Sequence, residues 1–412
     1  MRLLSLMLIL VALAATAADD PLRTSSVFDP DAEVRLFEPP VRWQVTDGDE
    51  DSGDFLGEIS DVTMDAEGNT YLLDTSFNTV RIYGPDGEFN GTLGREGDGP
   101  GEFRNPEDCI VLSDGRIGVV QLMPGQVITI LPDGDPGEPI KPPGDNGGMM
   151  NLLMGAQPVD GSLYTCSSTM RMNDEGITTV SQLLRLSLQG EVLSVIRSKE
   201  DKVESSGGVI AMRAGGDDDF TSFWTAAPDG RIYIAPKYDA YEMEVVNPDG
   251  ELVQIIEVEY EHVKRTAEEI EAQQVDMQFA TPHGEIEMPP VNPMRRDITR
   301  MYPRPDGTLW VASSSTPVNR PDGAVGAFDV FDREGRLTGR VAIDVDFDRD
   351  YDRYHIVGDY LFVCKEVLAA PESSPANSGG AMVVRIGQPR APVDEDREPM
   401  PYSVVCYDLS GM

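Results

Sequence analysis

The tripeptide Pro-Asp-Gly recurs along this chain of 412 residues and constrains its fold more than any other feature. Proline presets φ at the first central turn position, aspartate caps its own turn, and glycine accepts the left-handed conformation that follows. Runs of β-branched and aromatic residues of strand length flank most of these turns. The six copies lie at residues 85–87, 132–134, 228–230, 248–250, 305–307 and 321–323. The pattern predicts a series of strands joined by tight reversals, with little helix.

Alignment of the turns exposes an internal repeat whose unit is four strands long. Each unit has a glycine in the turn between its first two strands, the inner turn. Most units have another in the turn between the last two, the outer turn. The inner-turn glycines are Gly68, Gly115, Gly161, Gly230, Gly307 and Gly358, and the outer-turn glycines are Gly87, Gly134, Gly190, Gly250 and Gly335. Because a four-stranded propeller blade needs roughly 40–50 residues, the repeat predicts an all-β, six-bladed β-propeller.

The last repeat unit lacks an outer strand before the chain ends. The segment Val41-Arg-Trp-Gln-Val45 lies before the first unit and has the character of a strand. We therefore expect this N-terminal strand to close the ring, which removes an exposed sheet edge that would invite aggregation.

The repeat resembles the NHL-repeat six-bladed β-propellers, in the group often found as exported bacterial proteins. The resemblance rests on the glycine-rich link from Gly94 to Pro106, which contains Phe103-Arg-Asn-Pro106, and on Asp65-Ala-Glu-Gly-Asn-Thr-Tyr-Leu-Leu-Asp74. It implies one of two kinds of protein. Some members are lyases, lactonases or hydrolases that use a metal in the central channel, and many others only bind partners.

The N-terminus reads as a targeting segment. Residues 1–17 combine Arg2, an apolar run and the small-residue site Ala15-Thr16-Ala17, which predicts a cleaved signal peptide and a periplasmic or extracellular protein. The apolar run is too short for a membrane span. We expect an N-terminal extension at 18–40 and the propeller at 41–412, with insertions at about 198–222, 262–297 and 370–400. Thr266 and Glu269 form a capping-box pattern that predicts a short acidic helix to about Phe279, with disorder as the alternative.

Net charge and cysteine content limit which partners and which disulfides the sequence favours. The formal net charge is −39, which argues against a nucleic-acid partner. The four cysteines show no C-x-x-C spacing. Cys364 and Cys406 fall on strands that we place as neighbours, so they are candidates for a disulfide, with two buried free thiols as the alternative.

Two residue sets have a composition that could bind a metal. A zinc site would use the three histidines of the chain, which are His262, His283 and His355. A calcium loop would use positions 1, 3, 5 and 12 of a twelve-residue pattern, which are Asp47, Asp49, Asp51 and Glu58. Ser52 replaces the glycine that such a loop requires, so the better interpretation of the acidic set is a solvated linker.

The functional hypothesis is a monomeric binding scaffold without a cofactor and without assigned catalytic residues. Strand direction places the long connections, including 166–181 and 312–327, on one face of the ring, and long connections are usually functional or disordered. A protein, a peptide or a small anionic ligand would bind that face, because cations suit carboxylate-bearing ligands. The candidate ligand-binding residues are Arg95, Arg104, Arg213, Lys237, Tyr238, Arg295 and Arg296. The alternative is a metal-dependent hydrolase or lyase, using Zn or Ca, with its site at the central channel.

Overall fold

The structure is a computed structural model. It describes residues 20–47, 55–143, 150–173, 175–204, 209–211, 218–273, 278–281, 284–287, 290–317, 320–321, 323–367 and 400–412. The predicted signal peptide at 1–17 and nearly all of the insertion at 370–400 lie outside these ranges. Within them, no helix has the length and apolar character needed to cross a membrane.

Strands dominate the described chain, and the named elements comprise 28 strands and one short helix. In chain order they are β1 (Leu22–Val27), β2 (Val34–Phe37), β3 (Val41–Thr46), β4 (Ile59–Met64), β5 (Thr70–Asp74), β6 (Thr79–Tyr83), β7 (Phe89–Leu93), β8 (Pro106–Val111), β9 (Ile117–Gln121), β10 (Gln126–Ile130), β11 (Met150–Val159), β12 (Ser162–Asn173), β13 (Gly176–Leu186), β14 (Val192–Glu204), β15 (Val209–Ala211), β16 (Trp224–Ala226), β17 (Ile232–Ile234), β18 (Glu242–Val246), β19 (Leu252–Glu259), α1 (Ala267–Gln273), β20 (Gln278–Thr281), β21 (Gly284–Glu287), β22 (Ile298–Pro303), β23 (Leu309–Ser313), β24 (Ala324–Phe331), β25 (Leu337–Asp344), β26 (Arg353–Val357), β27 (Tyr360–Lys365) and β28 (Ser403–Asp408).

These strands form six blades, as the repeat predicted, and a small extra sheet of β15, β21 and β20. Blades 1 to 3 are β4–β7, β8–β10 and β11–β14. Blades 4 and 5 are β16–β19 and β22–β25, each with one added strand, and blade 6 is β26–β28 with β3. The first strand of each blade lies innermost, and contacts such as β4 with β8 and β26 with β4 join neighbouring inner strands around a central channel. The fold is a six-bladed β-propeller.

The turn glycines adopt the conformation that their sequence positions predicted. All six inner-turn and all five outer-turn glycines have φ between 52° and 90°. At the outer turn of blade 1, a Cβ on Gly87 would lie 2.9 Å from the Trp43 side chain. Glycine is therefore required there both by the backbone conformation and by close packing.

The N-terminal strand closes the ring as expected. Strand β3 pairs antiparallel with β28, with Trp43 opposite Cys406 and Val45 opposite Val404. The Trp43 ring lies 6.1 Å from the Tyr83 ring and 5.9 Å from the Phe362 ring, measured between centroids. The closing strand thus joins the packing between the last blade and the first.

The rest of the N-terminal extension is also built into the ring. Strand β1 pairs in parallel with β19 on the outer edge of blade 4, and β2 pairs in parallel with β25 on the outer edge of blade 5. With β3 on blade 6, the segment from Leu22 to Thr46 covers the outer edges of three consecutive blades. The sequence analysis assigned no strands to 18–40.

Hydrophobic packing between blades forms the core. Six clusters of buried apolar residues lie at the six blade-to-blade interfaces. The three tryptophans, Trp43, Trp224 and Trp310, belong to three of these clusters and are 5–9% exposed. A propeller of this kind is stabilised by its interfaces, since every blade buries both faces of its sheet.

Three local features differ from the sequence analysis or refine it. Residues 166–181 belong almost wholly to the long hairpin of β12 and β13 rather than to a loop. Blade 2 has three named strands, and two isolated bridges, Ile130 to Pro136 and Val127 to Ile140, cover its outer edge. The predicted helix forms as α1 with its capping box: Thr266 N–H donates to Glu269 at 2.8 Å, and Glu269 N–H donates to Thr266 Oγ1 at 3.1 Å. It ends at Gln273, before the predicted end near Phe279, which lies in strand β20.

The disulfide predicted between Cys364 and Cys406 is absent. All four cysteines are buried free thiols. Strands β27 and β28 are neighbours, but the register places Cys364 opposite Val404 and Cys406 opposite Phe362. The two cysteines are therefore diagonal, where Cβ atoms lie roughly 7–8 Å apart, which is too far for the roughly 3.5–4.5 Å of a bridge.

Candidate functional site

The two faces of the ring differ in their connections. Inner and outer turns, such as 65–69 and 84–87, lie on one face, which we call the short-turn face. The opposite face, the long-loop face, carries the links between blades and the loops between second and third strands. Each inner strand begins at the long-loop face, so the first residues of these strands line the channel near its mouth on that face.

Five charged or titratable side chains from four inner strands meet in the channel. We call them the channel cluster: Asp61, Asp108, Arg300, Arg353 and His355. Asp61 connects three consecutive blades, because its Oδ1 lies 3.5 Å from His355 Nδ1 of blade 6 and its Oδ2 accepts a 2.9 Å bond from Cys109 N–H of blade 2.

A β-bulge precedes three members of the channel cluster. The ladder register shifts between Ile59 and Asp61 in blade 1, between Pro106 and Asp108 in blade 2, and between Ile298 and Arg300 in blade 5. In each case the charged residue stands seven positions before its inner-turn glycine. Bulges change the direction of side chains and are frequent beside functional sites. The repeat therefore has one equivalent position that is occupied by aspartate in two blades and by arginine in a third.

Arg300 reaches toward the opposite side of the channel. It lies on blade 5, and its guanidinium interacts electrostatically with Asp108 of blade 2 and Asp61 of blade 1. The pKa of Arg300 is raised, mainly by Tyr302, with further contributions from Tyr354 and the two carboxylates, while burial opposes the change. Charges of both signs therefore share the interior of one channel.

The carboxyl of Asp108 has an unusual protonation equilibrium. Burial, followed by the charges of Asp61 and Glu107, raises the pKa of Asp108 to about 7, and Arg300 opposes this rise. Two carboxyl groups held this close do not ionise together readily. Asp108 consequently keeps its proton up to near-neutral pH.

His355 and Arg353 complete the channel cluster from blade 6. His355 is 8% exposed, and its Nε2 has no hydrogen-bond partner among the described residues. Among the described residues, the hydrogen bonds of Arg353 are long, at 3.4–3.5 Å from Nη1 to the carbonyls of Ser60 and Ile59. The cluster thus retains unused donor and acceptor capacity that a polar ligand can take up.

The candidate cations Arg95, Arg104, Lys237 and Arg295 lie on the long-loop face and form ion pairs with neighbouring acids. Arg95 pairs with Glu102 at 2.5 Å, and Lys237 pairs with Glu242 at 2.8 Å. Arg104 pairs with Glu96 and with Asp98, Arg295 pairs with Glu269, and Arg213 lies outside the described residues. Ion pairing of this kind satisfies these cations without a ligand.

Tyr238 and Arg296 come together at the link between blades 4 and 5. The buried guanidinium of Arg296 stacks 3.6 Å from the Phe223 ring centroid and 5.7 Å from that of Tyr238, and Nη2 donates to the Ala235 carbonyl. Tyr238 donates its hydroxyl to the Met294 carbonyl at 3.0 Å. Both residues therefore brace the link that leads into β22.

The two histidines that the structure describes do not converge. His262 Nδ1 lies 2.8 Å from Asp297 Oδ2 at the link between blades 4 and 5, His355 lies in the channel, and His283 falls outside the described residues. In the acidic set, Asp47 Oδ1 accepts a bond from Leu56 N–H at 3.1 Å, whereas Asp49 and Asp51 are not described. Across the described ranges, no group of three or more His, Cys, Asp or Glu side chains is placed to hold a metal ion.

Sequence reasoning identified His355 but missed Asp61, Asp108, Arg300 and Arg353. The signal was present in the repeat itself, since Asp61, Asp108 and Arg300 share one offset from their inner-turn glycines in strands that are otherwise largely apolar. Each looked like an ordinary polar position of an alternating strand. Their convergence depends on ring closure, which brings together residues more than 200 positions apart.

Comparisons with known proteins concern the fold. No family model and no curated protein sequence matches the chain. Among solved structures, the chain is similar to a candidate exported protein of Bacteroides fragilis, with 11% identity, a TM-score of 0.47, and coverage of 94% of this chain and 99% of that one.

Two further similar structures are those of a lyase and of a calcium-binding protein. An inactive variant of virginiamycin B lyase from Staphylococcus aureus with quinupristin has 10% identity, a TM-score of 0.40, and coverage of 88% of this chain and 98% of that one. The calcium-binding protein regucalcin from Agrobacterium tumefaciens has 11% identity, a TM-score of 0.38, and coverage of 81% and 88%.

Proposed function

We propose that this protein is an exported propeller that binds a short peptide, or a ligand with the same charges, in the channel mouth on its long-loop face. One arrangement carries the proposal: Arg300, Asp61 and Asp108 occupy the same bulged position of their inner strands, and their charges interact within a single channel. The carboxylates suit an ammonium group, and Arg300 suits a carboxylate. A short peptide with free termini carries both groups and complements both sides.

The remaining features of the channel cluster support a binding role. His355 Nε2 and the loosely held Arg353 offer polar contacts that the described residues do not satisfy. The resemblance to NHL-repeat propellers, many of which only bind partners, agrees with this proposal.

Isothermal titration calorimetry with trialanine tests the proposed function. N-acetyl-trialanine and trialanine amide each lack one terminal charge, so both should bind at least about tenfold more weakly, which is the loss expected for one charge-assisted hydrogen bond. Arg300→Ala and Asp108→Asn should weaken trialanine binding similarly. Arg336→Ala removes an exposed arginine of the short-turn face and serves as the matched control. The proposal fails if wild-type protein binds none of the three peptides, or if Arg300→Ala binds trialanine unchanged.

A second candidate function is acid–base catalysis by the same cluster, as in a hydrolase or lyase. The observation that favours it is the pKa of Asp108 near 7, since a group that titrates near the working pH exchanges protons efficiently. Hydrolysis of p-nitrophenyl acetate and of trialanine, each measured with and without a chelator, tests this candidate. Turnover that Asp108→Asn abolishes would favour an enzyme, and metal analysis of the purified protein would show whether Zn or Ca accompanies it.

A further inference from the structure

A cavity on the short-turn face, away from the channel cluster, contains three arginines. It has a volume of about 160 Å³ and lies between blades 4 and 5. Its lining includes Arg231, Arg304 and Arg333, but only one acidic residue, Asp229. Three guanidinium groups around one small cavity stand out in a chain with 72 acidic and 33 basic residues. Acidic residues lie nearby as well: Asp359 and Asp306 interact electrostatically with Arg304, and Glu334 does so with Arg231.

Packing holds two of these arginines in place. Arg304 is 5% exposed, its guanidinium stacks 4.4 Å from the Trp310 ring centroid, and Nη2 lies 3.1 Å from Asp359 Oδ1. Arg231 stacks 5.5 Å from the Tyr233 ring centroid and pairs with Asp229 at 2.8 Å. Both side chains are thus preorganised before any ligand arrives.

The third arginine, Arg333, is held by backbone contacts rather than by a carboxylate of the described residues. Arg333 donates from Nε and Nη2 to the carbonyl of Asp306, at 3.1 and 2.6 Å. In the part of the chain that the structure describes, no ion pair to a carboxylate is found for Arg333. Its own backbone carbonyl accepts a 3.0 Å bond from Arg231 Nη1, which ties the two arginines together.

The cavity walls also favour a small polar ligand. Pro228 and Pro305 belong to rigid turns, Pro303 ends strand β22, and Thr308 adds a hydroxyl group. Burial raises the pKa of Tyr233, so its hydroxyl keeps its proton and can donate a hydrogen bond. The site presents hydrogen-bond donors and positive charge in a space that suits a small anion rather than a polymer.

We propose that this cavity binds a small oxyanion, such as phosphate or a compact phosphate or sulfate ester. Arginine recognises such groups through several parallel N–H donors. The proposal is independent of the channel cluster, because no cavity-lining residue belongs to that cluster. Its ligand would bind on the face opposite to the proposed peptide site.

Thermal unfolding and ³¹P line broadening with inorganic phosphate test this inference. Wild-type protein should melt at a higher temperature in sodium phosphate than in sodium chloride of equal ionic strength, because a ligand that binds only the folded state stabilises it. Sulfate and acetate, tested in parallel, separate tetrahedral from planar anions. Arg333→Ala should bind phosphate at least about tenfold more weakly, and Arg333→Lys should retain part of the affinity.

The control variant is Arg336→Ala, which removes a neighbouring arginine that pairs with Asp332 and Glu334 outside the cavity. It should bind phosphate as wild type does. The inference is overturned if phosphate, sulfate and acetate act no differently from chloride, or if Arg333→Ala responds to phosphate as wild type does. Titration of the same variants with trialanine tests the peptide proposal independently, so failure of one proposal can be distinguished from failure of the other.

Discussion

Asp61 Oδ1 of the first blade lies 3.5 Å from His355 Nδ1 of the last blade, although the residues stand 294 positions apart. This contact exists only because the ring closes. The same closure places Arg300 opposite Asp108 and so assembles a channel that contains charges of both signs. Stability of the ring and formation of the proposed binding site are therefore linked.

Removal of the closing strand should unfold the protein. Trp43→Ala deletes a buried ring from the interface between blades 6 and 1 and should lower the free energy of unfolding by about 3–5 kcal/mol. Deletion of residues 18–46 should abolish cooperative folding. Deletion of 18–39, which spares β3, should destabilise the protein less. Urea unfolding followed by tryptophan fluorescence and circular dichroism measures each effect. Wild-type cooperativity in the 18–46 deletion would contradict ring closure by β3.

The pKa of Asp108 predicts a particular pH dependence of stability. Its pKa is about 7 in the folded protein and about 3.9 in an unfolded chain, so the folded state binds the extra proton between about pH 4 and pH 7. Stability should therefore fall as the pH rises through this window. Asp108→Asn should remove this loss of stability. Its free energy of unfolding relative to wild type should be roughly 1–3 kcal/mol higher at pH 8 than at pH 4, because solvent screening in the channel reduces the full effect.

The matched control for this pH effect is Asp98→Asn, because the Asp98 side chain is 85% exposed. Its pH dependence should follow that of the wild type. Identical melting profiles for Asp108→Asn and wild type from pH 4 to pH 8 would show that Asp108 titrates normally.

The cysteines should behave as buried thiols. Burial raises the pKa of Cys364 and of Cys406 to about 12, so neither forms thiolate at neutral pH. We expect slow reaction with a thiol reagent in native protein and four reactive thiols after denaturation without reductant. A peptide pair joined through Cys364 and Cys406 would contradict the register of β27 and β28.

The targeting segment predicts a defined mature N-terminus. Cleavage after Ala17 would leave Ala18 as the first residue, a few positions before β1 begins at Leu22. Expression of the full chain in a bacterial host, followed by N-terminal sequencing of the protein in each cell fraction, measures this. A protein that retains residues 1–17 in the cytoplasm would argue against export.

Much of the fold could be predicted from turn chemistry, because glycines such as Gly68 and Gly87 occupy left-handed positions that few other residues tolerate. The addition of β3 to the last blade followed from a missing strand. Strands β1 and β2 escaped prediction because both are short, β1 is largely polar, and each pairs with a strand more than 200 residues away. The channel cluster escaped prediction for a related reason: no local pattern reveals which inner-strand charges face one another across a ring.

The most direct test of the central claim is a crystal structure of the protein grown with trialanine. The account predicts density for the peptide at the channel mouth of the long-loop face, with its carboxylate on Arg300 and its ammonium group between Asp61 and Asp108. A structure in which the peptide lies on another surface, or in which the channel contains only water at a saturating peptide concentration, would contradict it.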